Sequence, residues 1–547
     1  MNKILYLYKA GDFHRGEAGG KELAAWLAAE AKFELETTAD LDKLIDLPGG
    51  QYAAIVVYTT GLQDDLTPER EKGLLTFVAN GGGFVGIHSA ADSFRGNRNY
   101  VDMLNGEFQT HPAMQEFPVV IQDHNHYLTV RMPNFSVTDE MYHLQNFDPD
   151  KCTVLATTHW QGKQMPMVYV REYGKGRLAY IALGHSEQAW QHVEFKKLLL
   201  RSIQWTTGAE LSDKVMRWGI IGYSGMAKAH IGWVNNTPGM QMVAMCDINP
   251  ACAEQARKDT PGLAGYHTCL DDLLAMPDLD VITAVVPHSD HKPVVEQCLR
   301  AGKHVVVEKP FSCTVAEANS MIDTAKQTGK TLSVFHQRRW DGDYLAIRDL
   351  IKRGLLGDVF HIEAWIGGYD RLGPEWRNIK AKSGSVMLDW GAHFIDWILG
   401  IAGGKVTQVF GDFQKRLWHQ VTIEDFGQAT FRLDNGVTAS FGLSSLAAVP
   451  RPKWYIMGTK GTLCTEIGNW EKLHLVTYAS GIKQDCIIET GKDFQGQHYY
   501  RYLADHLLMG EEVPVTPESA RRVIAIVEAA TRSSELGVSQ PVAAGCE

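Results

Sequence analysis

MRWGIIGYSGMAKAH, residues 216–230, is the stretch from which the rest of the chain is read. A short apolar run enters a turn of small residues, GYSGMA at 222–227, and a helical pattern leaves it. Apolar runs of this kind are strands buried on both faces, as in parallel sheets. Gly222 permits the tight turn, and a small residue at Ser224 lets the backbone approach a pyrophosphate. The following helix N-terminus turns free N–H groups and a positive dipole end toward the phosphates. The turn departs from G-x-G-x-x-G, because Ser224 stands at the second glycine and Ala227 at the third. Gly225 and Met226 lie between them. Taken alone, the six residues also fit an ordinary strand-to-helix turn.

The chain on either side favours a dinucleotide site. MQMVAMCD (240–247) is the next strand and ends on Asp247. That residue stands about 25 positions beyond Gly222, where a carboxylate holds the adenosine ribose hydroxyls. Ile248, Asn249 and Pro250 follow, with no Arg to receive a 2′-phosphate, so the pattern favours NAD over NADP. DVITAVVP (280–287), HVVVEKP (304–310) and TLSVFH (331–336) read as further strands with helices between them. Residues 215–336 are thus expected to form a Rossmann-type NAD-binding domain. Past residue 340 the pattern changes. VFHIEAWIGG (359–368), GQATFRLDNGVTASFGLSS (427–445) and KWYIMGTKGTLCTE (453–466) read as strands of an antiparallel sheet. Asn435–Gly436 and Lys460–Gly461 are its turns. TPESARRVIAIVEAATRSSELG (516–537) is a capped helix. Residues 337–547 are expected to be an α+β substrate-binding and catalytic domain with an open antiparallel sheet.

Two motifs there carry chemistry. Glu308-Lys309-Pro310 closes a Rossmann strand, at the edge where such sheets bind ligands. A lysine at that place can hold a substrate hydroxyl, stabilise its alkoxide and lower the pKa of a neighbouring base. The other reading is a lysine facing solvent. In DWGAHFID (389–396), Asp389 and His393 are spaced i, i+4 and Asp396 follows at i+7, all on one helix face. Trp390, Phe394 and Trp397 form the neighbouring apolar stripe. Oxidising an alcohol needs a base for the hydroxyl proton, which suits a histidine titrating near neutral pH. A helix whose His and Asp merely satisfy each other fits the stretch equally.

GIIGYSGMAKAH, Asp247, VPHSDH (286–291), EKP (308–310) and DWGAHFID (389–396) together resemble the Gfo/Idh/MocA family of oxidoreductases over about residues 216–540. The resemblance implies a Rossmann domain followed by an α/β domain with an open antiparallel sheet, and oxidation of secondary hydroxyls of sugars or inositols. It implies a catalytic trio of Lys309, Asp389 and His393, with His393 as acid/base. Pro287 and His291 match positions beside the nicotinamide, and Glu308 falls on the cofactor side with them. Trp376 and Arg377 either line the sugar pocket or are structural.

Ahead of this lies a separate α/β segment, 1–210, joined by the polar connector GAELSDK (208–214). KILYLYK (3–9), AAIVVYT (53–59), FVGIHSA (84–90) and GRLAYIALGHSE (176–187) read as strands. GGKELAAWLAAEA (19–31), a helix capped at Thr67–Pro68, and EFKKLLLRSIQWTTG (194–208) read as helices, giving a parallel sheet. Its histidines are dense: His14, His88, His111, His124, His126, His143, His159, His185 and His192. His14, His88, His111 and His185 stand near strand ends or glycines. Strand ends of a parallel sheet converge, so imidazoles there suit Zn²⁺, another divalent ion, or acid/base chemistry. Hydrogen-bonded structural histidines are the plainer alternative. GGGFVGIHSAADSF, MLNGEFQTHP and GRLAYIALGHSE resemble the trehalose-utilisation (ThuA-like) family over about residues 1–208. The resemblance implies a flavodoxin-like fold similar to class I glutamine amidotransferases. Those enzymes carry a Cys at the sharp turn where His88 stands here, and Cys152 is the only cysteine of the segment, so thiol chemistry is not expected.

The expected function is NAD-dependent oxidation of a secondary hydroxyl of a sugar or glycoside, at C3, with the first domain binding or converting the 3-keto sugar. A redox-neutral glycoside cleavage with recycled NAD and an NAD-dependent sugar sensor remain as alternatives. Composition agrees: 547 residues, 45% hydrophobic, 21% charged, net charge −11. That charge argues against nucleic acid as partner. No apolar stretch of about 18 residues suggests a membrane span, and the first residues lack a signal-peptide pattern. Nine cysteines without C-x-x-C pairing are expected to be reduced and mostly buried in a cytoplasmic protein. An open sheet also offers a face for a homo-oligomer.

Overall fold

The computed structural model describes residues 2–546 apart from 10–13, 31–32, 480 and 492–495. Part of the GDFHRG segment and the end of the helix expected over 19–31 therefore lie outside the described residues. The chain divides into two compact units, Met1–Asp213 and Lys214–Glu547, with the break inside the polar connector.

The first unit is built on a nine-stranded sheet. Phe33–Thr38, Asn2–Lys9, Ala54–Thr59, Gly83–Ile87 and Gly176–Ile181 run parallel in that spatial order. The apolar runs of the inner four are buried on both faces, as the sequence suggested, with Ala54–Thr59 buried at every position, while the edge strand Phe33–Thr38 has no buried residue. Thr67 caps the helix Pro68–Ala79 through its hydroxyl, with proline at the first helical position. The parallel expectation holds only for this half. Lys163–Tyr173, Thr153–Trp160, Gln115–Ile121 and Phe135–Asp139 extend the sheet antiparallel. Hairpins replace crossover helices there, and Gln161 and Gly162 both take positive φ in one of them (47° and 78°).

The second unit opens with six parallel strands. Their spatial order is Gly265–His267, Met240–Cys246, Met216–Ile221, Val281–Ala284, His304–Val307, Leu332–Val334. This is the doubly wound order with its switch point beside the first strand. An eight-stranded sheet follows, with Phe426–Leu433 and Thr438–Ser444 among its strands. It is not wholly antiparallel, because Val359–Gly367 pairs in parallel with Thr438–Ser444. The segment between those strands must therefore cross over, and it contains the helix Val386–Ala402, which lies on the sheet. Phe394 stacks on Phe441 (ring centroids 4.7 Å) and Trp397 meets Trp454 (5.7 Å).

Buried side chains are continuous across the expected boundary at 337. A single cluster of buried side chains runs from Met216 to Cys546. Helix Gly496–Met509 returns to the Rossmann strands, where Tyr499 Oη donates to Ser333 Oγ at 2.8 Å and Tyr500 Oη lies 3.3 Å from Thr283 Oγ1. The cysteines also differ from expectation. All nine are free thiols, but only Cys246, Cys298 and Cys546 are buried, while Cys269 and Cys486 are exposed. No helix among the described residues is long and apolar enough to cross a membrane.

Candidate functional site

The turn after strand Met216–Ile221 has a shape only glycine allows at its start. Gly222 has φ +87°, and a Cβ there would lie 2.0 Å from the Val285 carbonyl oxygen. Ser224 caps the helix Gly225–Asn235 by accepting from Ala227 N. A Cβ at Gly225 would meet nothing within 4 Å, so space stands open over the helix N-terminus. Ala227 is buried where the helix meets the sheet, and Met226 is half-buried. Asp247 accepts from Tyr223 N and Asn249 N, both at 2.8 Å, which ties the strand end to the turn. Ile248 beside it is 88% exposed. A close-approach turn, an open helix N-terminus and an acidic strand end fit a dinucleotide.

Lys309 Nζ donates to Asp389 Oδ1 at 2.6 Å and reaches the Asp389 carbonyl at 3.3 Å. These two residues are 80 positions apart in sequence and meet at the edge of the Rossmann sheet. Asp389 lies in the first turn of Val386–Ala402, which Ser385 caps. Burial opposes ionisation of Asp389, but Lys309, and Arg377 behind it, hold its carboxyl below the ordinary range. His393 is 3% exposed, and its Nδ1 has no hydrogen-bond partner among the described residues. Burial first, then the Lys309 ammonium, hold its imidazole well below 6.5, so it is a neutral base at pH 7. Asp396 is committed elsewhere, to a bidentate pair with Arg339 (2.8 and 2.6 Å). The reading in which histidine and aspartates of this helix merely satisfy one another is therefore corrected: each aspartate takes a cation, and the histidine is left over.

Other expected residues fall around this pair in different ways. Glu308 is buried, accepting from His230 Nε2 (3.0 Å) and Lys309 N (2.9 Å). Its carboxylate thus braces the lysine turn from inside. His291 is buried with Nε2 at 3.1 Å from the Val286 carbonyl and Nδ1 at 3.4 Å from that of Phe311, so its ring ties the Pro287 loop to the backbone. His288, quoted within VPHSDH but not singled out, stands closer to the chemistry. Its ring lies 4.8 Å from that of Trp376, and its Nδ1 is 3.0 Å from the Ser383 carbonyl. Burial, then His291, push it down to about 3. Arg377 stacks over Trp376 at 4.4 Å. His336, also unflagged by sequence, has its ring 6.0 Å from that of His393.

In the first unit, three of the four expected histidines come together. His14, His88 and His185 each offer a ring nitrogen, and these lie within 4.8 Å of one another. His88 follows strand Gly83–Ile87 with φ +42°, and Tyr180 Oη donates to its carbonyl at 2.8 Å. His185 follows the adjacent parallel strand Gly176–Ile181. The sequence reading missed Glu140. Its Oε2 lies 3.4 Å from His88 Nε2 and 3.2 Å from His185 Nδ1. His111 is corrected out of the inner group, since its Nε2 faces the other oxygen, Glu140 Oε1, at 3.7 Å. Burial, then His88 and His185, push His14 down to about 3.

Comparison with known proteins agrees with this architecture. Residues 3–206 match the trehalose-utilisation family ThuA. Residues 216–336 match the GFO/IDH/MocA oxidoreductase family with its NAD-binding Rossmann fold, and residues 344–464 match the GFO/IDH/MocA C-terminal domain. The chain is thus a ThuA domain fused to an oxidoreductase of the GFO/IDH/MocA family. The oxidoreductase YdgJ of Escherichia coli is 27% identical over 59% of this chain and 98% of its own. The scyllo-inositol 2-dehydrogenase (NADP(+)) IolW of Bacillus subtilis is 29% identical over 52% of this chain and 84% of its own. An NAD-binding protein from Listeria innocua has a solved structure that is 26% identical. It spans 60% of this chain and 97% of its own, with a TM-score of 0.55.

Proposed function

We propose that the second unit oxidises a secondary hydroxyl of a sugar or glycoside, at C3, with NAD as the acceptor. The observation that carries this reading is the Lys309–Asp389 pair at 2.6 Å beside a buried, neutral His393. The Gly222–Ala227 turn and Asp247 would hold the dinucleotide, whose nicotinamide supplies the hydride acceptor. Asp247 followed by exposed Ile248, with no Arg beside it, supports NAD over NADP. Lys309 fixes the substrate hydroxyl and favours its alkoxide, and His393 takes the hydroxyl proton. Asp389 holds the lysine in place. Trp376 and Arg377 form the sugar-facing wall, with His288 behind them. The polyol substrate named for the B. subtilis relative supports the substrate class. The test is absorbance at 340 nm with NAD and a panel of glucosides, disaccharides and inositols, beside His393→Ala. NADH formation that the variant loses supports the reading. Cleaved glycoside without net NADH would replace it with a redox-neutral cycle, and NAD binding without turnover would leave a sensor.

For the first unit we propose binding or conversion of the keto sugar so formed, supported by the clustered imidazoles of His88 and His185 and by His111 beside Glu140. A keto group at C3 acidifies the hydrogen on C2, which a base at such a cluster could remove. His88→Ala, His111→Ala and His185→Ala, made singly, are expected to impair keto-sugar turnover or binding and to spare NADH formation. Unchanged keto-sugar handling in all three would sink the proposal.

A further inference from the structure

Three imidazoles come together in the first unit, and the Glu140 carboxylate lies against two of them, His88 and His185. Arg15, next to His14, turns to Glu22 at 2.6 Å and Glu187 at 3.4 Å. We propose that this cluster is a metal centre binding one divalent ion of the zinc class through His14, His88 Nε2, His185 Nδ1 and Glu140 Oε2. The centre stands independently of what the domain acts on.

The three imidazole nitrogens lie within 4.8 Å of one another, and the Glu140 spacings to two of them are those of a coordination sphere. Donors about 2.1 Å from a tetrahedral ion lie about 3.4 Å from each other. The Glu140 oxygen stands 3.4 and 3.2 Å from the two histidine nitrogens. His88 Nε2, His185 Nδ1 and both ring nitrogens of His14 are buried without a hydrogen-bond partner among the described residues. Buried polar atoms normally find partners, so three orphaned nitrogens, one from each ring, gathered within 4.8 Å indicate a missing ligand. The tautomer of His88 is set from behind. Its Nδ1 lies 2.8 Å from the Ala182 carbonyl, to which it donates, and the lone pair of Nε2 then faces the cluster.

Each donor is also held by its own tether. Asp139, fully buried, accepts from Gly184 N at 2.6 Å and Ser186 N at 2.8 Å, which fixes the residue on either side of His185. Glu140 is the next residue in the chain. Tyr58 Oη donates to the Gly184 carbonyl at 2.7 Å and accepts from Arg15 N at 3.4 Å, joining the His14 and His185 segments. The left-handed backbone at His88 is held by Tyr180. His111 stays outside the sphere, with Nδ1 at 2.8 Å from the Pro112 carbonyl and Nε2 toward Glu140 Oε1, where it orients the carboxylate. Three nitrogens and one oxygen suit zinc-class ions, whereas Mg²⁺ and Ca²⁺ favour all-oxygen shells.

The test uses the full chain, stripped with chelator and then titrated with Zn²⁺ and with Co²⁺. Metal per chain after gel filtration and the visible bands of Co²⁺ are the readouts, with resistance of the first unit to limited proteolysis as the check on its folding. The wild type is expected to retain one equivalent and to show d–d bands of a low-coordinate cobalt site. Glu140→Gln and His185→Ala are expected to weaken binding by about 100-fold or more while the first unit keeps the wild-type resistance to proteolysis. His111→Ala is expected to keep the ion with a smaller loss, within about 10- to 100-fold. No uptake by the wild type above a metal-free control overturns the proposal. Equal uptake by wild type, Glu140→Gln and His185→Ala also overturns it, because the ion would then sit elsewhere.

Discussion

The two units both set imidazole near carboxylate, and differ in where the positive charge comes from. In the second unit Lys309 sits 2.6 Å from Asp389, so the cation is part of the chain, and His393 is left neutral beside it. In the first unit Glu140 is ringed by His88, His185 and His111 instead. A buried carboxylate paired with an ammonium is complete as it stands. A carboxylate among imidazoles is a donor set, which a cation brought from outside can satisfy. The difference teaches that a histidine count says little about chemistry until the neighbouring cation, or its lack, is known.

The largest test of this contrast is His393→Ala. Loss of the proposed acid/base group is expected to lower kcat roughly 10²–10⁴-fold, read as NADH formation at 340 nm. Metal content of the first unit should not change, and a parallel loss of both would mean the two sites are not separable. Lys309→Met removes the built-in cation and is expected to cost about 10²–10³-fold in kcat/KM. If activity survived, the charge argument for the second unit would fail. Gly222→Ala comes next. A Cβ 2.0 Å from the Val285 carbonyl at φ +87° must displace the turn, so NAD affinity should fall by about tenfold or more, or ~1.4 kcal/mol, in a fluorescence titration.

The smallest expected effect is on acid stability. Burial, then Lys330 and His506, hold His304 down to about 4. The unfolded chain protonates a histidine near 6.5, so between those values it binds a proton the folded chain refuses. The stability involved is whole above pH 6.5 and is lost as pH falls toward 4. His304→Asn should flatten that fall, by a few degrees of melting temperature between pH 7.5 and 5. An unchanged slope would place the acid sensitivity outside His304, with the first unit's imidazoles the next place to look.

Much of this was legible in the sequence. The Rossmann strands, the turn at Gly222, the Asn435–Gly436 and Lys460–Gly461 turns and the helix carrying Asp389 and His393 are local patterns, set by burial period and backbone freedom. What escaped was pairing. The antiparallel extension through Lys163–Tyr173 and the long strands Asn469–Ala479 and Ile482–Glu489 went unread, as did the helix Gly496–Met509 that returns to the Rossmann sheet. Glu140 carries no motif at all. It follows Phe135–Asp139, the last strand in the pairing order of the first sheet. It meets His88 only because Asp139 is drawn back onto Gly184 and Ser186. His288, by contrast, lay in plain view within VPHSDH.

The sequence by itself determined the class of each segment, the cofactor turn and the helix face on which Asp389 and His393 share one side. Those depend on residues within a few positions of one another, where helix and strand periods dictate direction. Only the tertiary structure decided that Lys309 pairs with Asp389, that Asp396 belongs to Arg339, that His14, His88 and His185 come together without His111, and that Glu140 lies against His88 and His185. These contacts span 80 residues between Lys309 and Asp389 and 57 between Arg339 and Asp396. They are made by sheet order and crossover, which no local pattern encodes.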